Sequence, residues 1–164
     1  MVEWIARVAA DGATRRALDV AMGRGRHAVL LARAGCLTFG VDVAFDAVRD
    51  AVAAAAAAGG PPINGWCADL TQHPLPASRF DLVIVCRYLQ RDLFDALRAA
   101  CVPGGVVLYE TFTTAQRALG TGPKSPDHLL EPGELRRRFD GFEVLFYEEV
   151  SEPDAVARIA ARRS

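Results

Sequence analysis

The sequence predicts an open, doubly wound α/β domain with a mostly parallel seven-stranded sheet and one antiparallel strand near the C-terminus. Three observations carry this prediction. Short apolar runs alternate with helical stretches, a glycine turn joins the first strand to the first crossover helix, and the last two strands follow one another with no helix between them. At 164 residues, 51% of them hydrophobic, the chain has the length of one such domain, spanning residues 1–164.

Apolar runs at residues 17–21, 37–41, 80–86 and 106–110 are bounded by turn residues, as buried parallel strands are. Residues 63–69 alternate apolar and polar positions and fit an edge strand, where Gly65 is better tolerated than at the sheet centre. Residues 26–34 form a helical stretch that Gly35 ends, and residues 45–58 form a second that sets Phe45, Val48 and Val52 on one face before Gly59 and Gly60. Residues 91–100 give a third, closed by Pro103-Gly104-Gly105. Residues 111–130 hold Gly120, Gly122, Pro123 and Pro126 without periodicity and predict a long loop, of the functional or mobile kind. Pro132 suits the first turn of a short helix reaching Phe139, and residues 142–148 and 156–162 are strands whose link through Pro153 fits a hairpin.

Composition removes several classes of partner. Nineteen Lys and Arg against 20 Asp and Glu leave a formal net charge of −1, so no global field draws the chain to nucleic acid or to an anionic membrane. Cys36, Cys67, Cys86 and Cys101 form no CxxC pair and the three histidines sit at no metal-ligand spacing from them, so neither zinc nor a disulfide framework is expected. Glu3 and Arg7 interrupt the N-terminal apolar stretch, and the expected location is the cytoplasm.

Leu18-Asp19-Val20-Ala21-Met22-Gly23-Arg24-Gly25-Arg26-His27 reads as a strand entering a glycine turn and then a helix, the arrangement in which backbone can approach a phosphate- or adenosine-bearing ligand. Gly23-x-Gly25-x-x-Ala28 also fits the loose dinucleotide form, so this loop leaves a nicotinamide cofactor open. Asp42 closes the second strand, where a carboxylate can accept hydrogen bonds from both hydroxyls of a ribose. Asp69, at the end of the third, can accept one from an adenine amino group in a pocket with apolar walls.

These residues, with Phe80-Asp81-Leu82-Val83 and Pro103-Gly104-Gly105-Val106-Val107-Leu108, resemble the successive motifs of class I S-adenosylmethionine-dependent methyltransferases, from about Ala17 to Arg163. Arg87-Tyr88-Leu89-Gln90-Arg91 and Tyr109-Glu110-Thr111-Phe112 resemble the small tellurite-resistance-type members. The resemblance implies a Rossmann-like fold and S-adenosyl-L-methionine held by Asp19, Ala21, Met22, Gly23, Gly25, Asp42, Val43, Asp69, Leu70 and Cys86. Ala21 and Met22 stand where the family usually has Gly and Cys, and alanine fits there if its φ is negative. That departure keeps an inactive adenosyl-ligand-binding domain as one alternative, beside the NAD(P)-dependent oxidoreductase.

Methyl transfer from a sulfonium is an in-line displacement, for which the protein mainly supplies proximity, orientation and, where needed, a base. Cys86-Arg87-Tyr88 replaces the Asp/Asn-Pro-Pro-aromatic motif of nucleobase amino methylation, and no Pro-Cys nucleophile is present. Candidate catalytic residues are Tyr88, Arg91 and Glu110, and Arg87, Lys124 and His128 are further acceptor-side groups. The arginines could hold an anionic substrate through bidentate hydrogen bonds. Trp4 and Trp66 are expected to pack rather than to meet substrate. With no capping insertion visible, a small-molecule acceptor is the simpler expectation.

Overall fold

A computed structural model describes residues 1–9, 15–73 and 75–164. Seven strands, β1 (Arg16–Val20), β2 (Leu37–Asp42), β3 (Ile63–Cys67), β4 (Phe80–Cys86), β5 (Cys101–Phe112), β6 (Phe142–Val150) and β7 (Val156–Arg163), form one sheet in the order β3-β2-β1-β4-β5-β7-β6. The first five run parallel, and β7 inserts antiparallel between β5 and β6, as the helix-free link predicts. Helices α1 (Val2–Ala9), α2 (Arg26–Arg33), α3 (Phe45–Ala57), α4 (Phe94–Ala100) and α5 (Glu134–Arg138) complete the fold.

The strand core is continuous apolar sequence because both faces are covered. Leu18, Val20, Val83 and Val85 pack on one side with Phe94, Leu97 and Phe139. Leu82, Ile84 and Leu108 pack on the other with Ile5 and Leu31. The order reverses between β1 and β4, so the first βα turn opens onto the crevice above the strand ends, where ligands of such sheets bind.

Several expectations need correction. Helix α3 buries Val48, Ala51 and Ala55, leaving Phe45 65% exposed and Val52 at the surface. Its small residues are what the packing needs, because a Cβ at Gly25 would fall 2.6 Å from that of Ala51. The predicted helix at 91–100 begins as a 3-10 turn, Arg91–Leu93. Strand β5 starts at Cys101 and continues to Phe112, taking in the Pro103-Gly104-Gly105 turn at a register shift against β4. Residues 111–130 are therefore not an open loop. Their 3-10 turns Thr114–Leu119 and Pro126–His128 are held by the buried Gln116, whose Oε1 accepts the Ala155 N–H at 2.7 Å, and by Leu130 N–H donating to the Phe112 carbonyl at 2.9 Å.

Candidate functional site

The first turn after β1 is built around Asp42. Its Oδ2 accepts the Gly23 N–H at 2.8 Å and its Oδ1 accepts the Ala44 N–H at 2.9 Å, so one carboxylate ties the glycine turn to the entrance of α3. Each oxygen keeps a second lone pair for a ligand hydroxyl. A Cβ built on Gly23 meets nothing within 4 Å, which leaves the backbone open to a ligand there. Asp69 is fixed in the same way at the end of β3: Oδ1 accepts from the Thr71 N–H at 2.9 Å and the Thr71 hydroxyl at 2.7 Å, and Oδ2 from Gln72 at 3.2 Å. The Thr71 hydroxyl and amide hold its pKa below the usual carboxylate value. A groove of about 280 Å³ runs between these acids, lined by Ala21, Asp42, Val43, Ala68, Asp69, Leu70 and Tyr88.

Asp19 stands on β1 two residues before Ala21 and is buried against the start of α2. Burial raises its pKa to about 7, against the Ala28 backbone amide and Arg26, which lower it. Among the described residues its Oδ2 has no hydrogen-bond partner. Met22 takes a different place from its neighbours. Its side chain is buried away from the groove with Val48 and Ala51, over the strand glycines Gly40 and Gly65. Gly65 is thus needed for room, beyond being tolerated at an edge. Ala21 has φ +53, the positive value that a glycine would take without strain, so the condition of a negative φ is not met.

A second cavity, about 480 Å³, opens between α1 and strands β5, β6 and β7. Trp4, Leu108, Phe146 and Ile159 give it apolar walls, and Glu3, Arg7, Glu110, Glu148 and Arg158 give it charge. Strand register places Cys86 beside Glu110, Glu110 beside Arg158, and Arg158 beside Glu148. The Arg158 guanidinium donates to Glu110 at 2.6 Å and to Glu148 at 2.8 Å. Arg87 pairs with Glu110 at 3.3 Å and with Asp154 at 3.0 Å, and lies 4.4 Å from the Phe112 ring centroid. Burial raises the Glu110 pKa, but the hydrogen bond and charge of Arg158, with Arg87, outweigh it and hold the acid below its ordinary value. The Cys86 thiol lies 3.7 Å from Glu110 and 3.8 Å from the Arg26 guanidinium, and burial pushes its pKa up to about 11, so it is a neutral thiol.

The structure therefore groups Ala21, Asp42, Val43, Asp69, Leu70 and Tyr88 along the groove, ties Gly23 to it through Asp42, buries Asp19 outside its lining, and sets Cys86 and Glu110 beside the second cavity. Gly25 opens α2 below the turn and serves packing against Ala51. Arg91 lines neither space: it donates to both oxygens of Glu134, at 2.8 and 2.9 Å, and to the Leu129 carbonyl at 2.8 Å. Lys124 and His128 are exposed and line neither. The sequence reading missed Trp4, Phe146, Glu148 and Arg158. The polar pair could have been found by sliding the predicted hairpin until Glu148 faced Arg158.

A family model described as a methyltransferase domain matches residues 17–105. The match takes in the glycine turn, Asp42 and Asp69, and decides against the nicotinamide reading that Gly23-x-Gly25 left open. No curated protein sequence matches the chain. Among solved structures, the chain is similar to TehB from Haemophilus influenzae, with TM-score 0.79 and 15% identity over 99% of this chain and 62% of that one, so it spans about three fifths of the TehB chain. It is similar to an S-adenosylmethionine-dependent methyltransferase from Mesorhizobium loti, with TM-score 0.76 and 20% identity over 99% and 98% of the two chains. It is also similar to the magnesium protoporphyrin IX methyltransferase of Synechocystis, solved with bound SAH, with TM-score 0.76 and 21% identity over 99% and 80%. With the glycine turn after β1 followed by strand-end acids after β2 and β3, and the family model matching residues 17–105, the chain belongs to the methyltransferase-domain family and has the fold of the S-adenosylmethionine-dependent enzymes.

Proposed function

We propose that the chain transfers a methyl group from S-adenosylmethionine to a small molecule, with the donor in the groove along Asp42 and Asp69 and the acceptor in the cavity beneath α1. The observation that carries this reading is the row of strand-end residues across the sheet: Ala21 lines the groove, Glu110 lines the cavity, and Cys86 stands between them on β4. When bound, S-adenosylmethionine supplies a methyl carbon already activated by a sulfonium, so orientation is the main task left to the protein.

Asp42 would receive the ribose hydroxyls, since its two oxygens are already aimed by the Gly23 and Ala44 amides. Asp69, kept ionised by Thr71, would receive the adenine amino group between Val43 and Leu70. Tyr88 closes the groove wall, with its hydroxyl donating to Gln90 and its carbonyl accepting from the Tyr109 hydroxyl at 2.9 Å. Glu110 is the catalytic candidate on the acceptor side, and Arg91 acts as a positioning residue that staples residues 126–129 to α5. The test is formation of S-adenosylhomocysteine from S-adenosylmethionine with a panel of small acceptors. Turnover in the native chain that Asp42→Ala abolishes supports the reading, and binding of the donor without turnover on any acceptor opposes it.

A further inference from the structure

The connection from β3 to β4 has to pass β2 and β1, and it does so without a helix: residues 68–73 and 75–79 are turns and extended chain. Parallel strands are more often joined by a helix that packs on the sheet. On this face α4 and α5 pack Phe94, Leu97 and Leu135 with β4 and β5, while the connection itself supplies the buried Leu75 and the partly buried Leu70. Over Phe39 of β2 and Trp66 of β3 the face opens into a pocket of about 290 Å³, lined by Arg16, Phe39, Trp66, Pro76, Arg79 and Phe80. It shares no lining residue with the groove along Asp42 and Asp69 or with the cavity beneath α1.

The walls of this pocket are aromatic and its charge is of one sign. Phe39 and Phe80 meet edge to face, 5.7 Å between ring centroids, and the half-buried Trp66 is stacked on no other ring among the described residues. The lining holds two guanidiniums and no carboxylate. Both arginines are exposed, and neither guanidinium has a hydrogen-bond or ion-pair partner among the described residues. Their backbone amides are engaged instead, Arg16 N–H with Asp81 Oδ2 at 2.8 Å and Arg79 N–H with the Ala100 carbonyl at 2.9 Å. By contrast Arg163, which reaches Ser78 beside Arg79, is taken up by the Ala99 carbonyl at 3.1 Å and by the Cys101 carbonyl.

A planar ring can lie against Trp66 and Phe39 while an anionic group at its edge takes paired hydrogen bonds from a guanidinium fork. An uncharged ring uses the walls alone, and a bare anion uses only cations that water and salt screen, so each binds weakly. A volume of about 290 Å³ lies at the small end of ligand sites, which run roughly 300–1,000 Å³, and fits one or two rings. We propose that this pocket is a second ligand site that takes a small planar aromatic anion, a carboxylate or a phosphate, with its ring against Trp66 and Phe39 and its charge held by Arg16 and Arg79. The site stands apart from the methyl-transfer reading, because the two spaces have no lining residue in common.

The test uses the Trp4→Phe chain, in which Trp66 is the remaining tryptophan. Its fluorescence is titrated at neutral pH with 4-methylbenzoate and with phenyl phosphate, and the uncharged 4-methylbenzamide and inorganic phosphate are added as competitors. The expected result is a saturable change with at least one aryl anion, the tighter of the two distinguishing carboxylate from phosphate, and at least about tenfold weaker binding of both competitors. Arg16→Gln and Arg79→Gln, at exposed positions, should each weaken the aryl anion at least about threefold and leave the melting temperature nearly unchanged. No saturable response to either aryl anion, equal binding of the amide or of inorganic phosphate, or an affinity that neither arginine variant alters overturns the proposal. Displacement of the aryl anion by S-adenosylhomocysteine also overturns it, by placing the anion in the groove along Asp42 and Asp69, and leaves the methyltransferase reading standing.

Discussion

Met22 occupies the space that Gly40 leaves empty: a Cβ at Gly40 would fall 2.1 Å from the Met22 sulfur. Gly40 pairs in register with Gly65, whose own Cβ would meet Val48 at 2.9 Å and Val52 at 3.0 Å, so two strand glycines form a slot between the sheet and α3. The residue that follows Ala21 in the site loop is therefore part of the core. Its side chain anchors the turn from below while its backbone stays with the ligand groove.

Gly40→Ala should destabilise the chain by about 1–3 kcal/mol, the usual effect of overpacking. Met22→Ala should also destabilise it, by cavity formation. In the double variant the new methyl fills part of the vacated space, so its loss should fall short of the sum of the single losses by about 0.5 kcal/mol or more. Urea unfolding of the four chains measures this, and strict additivity would show that the two residues do not share the slot.

Ala21 holds φ +53 at the end of β1, a conformation that costs an L-residue roughly 1–2 kcal/mol. Glycine gives back part of that gain through its larger unfolded-state entropy. Ala21→Gly should thus raise stability by about 0.5–1 kcal/mol, or a few degrees in melting temperature. A melting temperature below that of the native chain would contradict the strain.

Asp19 makes a pH-dependent prediction. Its pKa is raised by burial from 3.8 to about 7, so between those values the folded chain holds a proton that the unfolded chain has lost. Stability from this residue therefore falls as pH rises through that window and levels off above it, by up to about 4 kcal/mol at 1.36 kcal/mol per pKa unit. Asp19→Asn removes the ionisation. Melting curves from pH 4.5 to 8 should show the native chain losing more stability than the variant, and parallel curves would refute the assignment.

The sheet was legible because its strands are local apolar runs or apolar–polar alternations and because helix-free sequence between β6 and β7 dictates a hairpin. The acids Asp42 and Asp69 were legible because strand ends are where such sheets bind ligands. What escaped the sequence depends on register and on distant partners. The direction of Met22 is decided by Gly40 meeting Gly65, and the loss of Arg91 from the acceptor side is decided by Glu134, 43 positions later. Trp4 reaches the cavity only because α1 folds back toward Phe146, their rings 5.7 Å apart. The apolar face expected of Phe45 and Val52 failed because α3 approaches Gly25 so closely that alanine serves there better than larger side chains.

The central claim is that the groove at Asp42 and Asp69 holds the methyl donor, and calorimetric titration with S-adenosylhomocysteine tests it most directly. The account predicts one site per chain in the native protein, and at least about tenfold weaker binding in Asp42→Ala, which loses the carboxylate that both orients the turn and receives the ribose. Circular dichroism identifies a folded variant. Equal affinity in the native and folded Asp42→Ala chains, or no binding to the native chain, would contradict it.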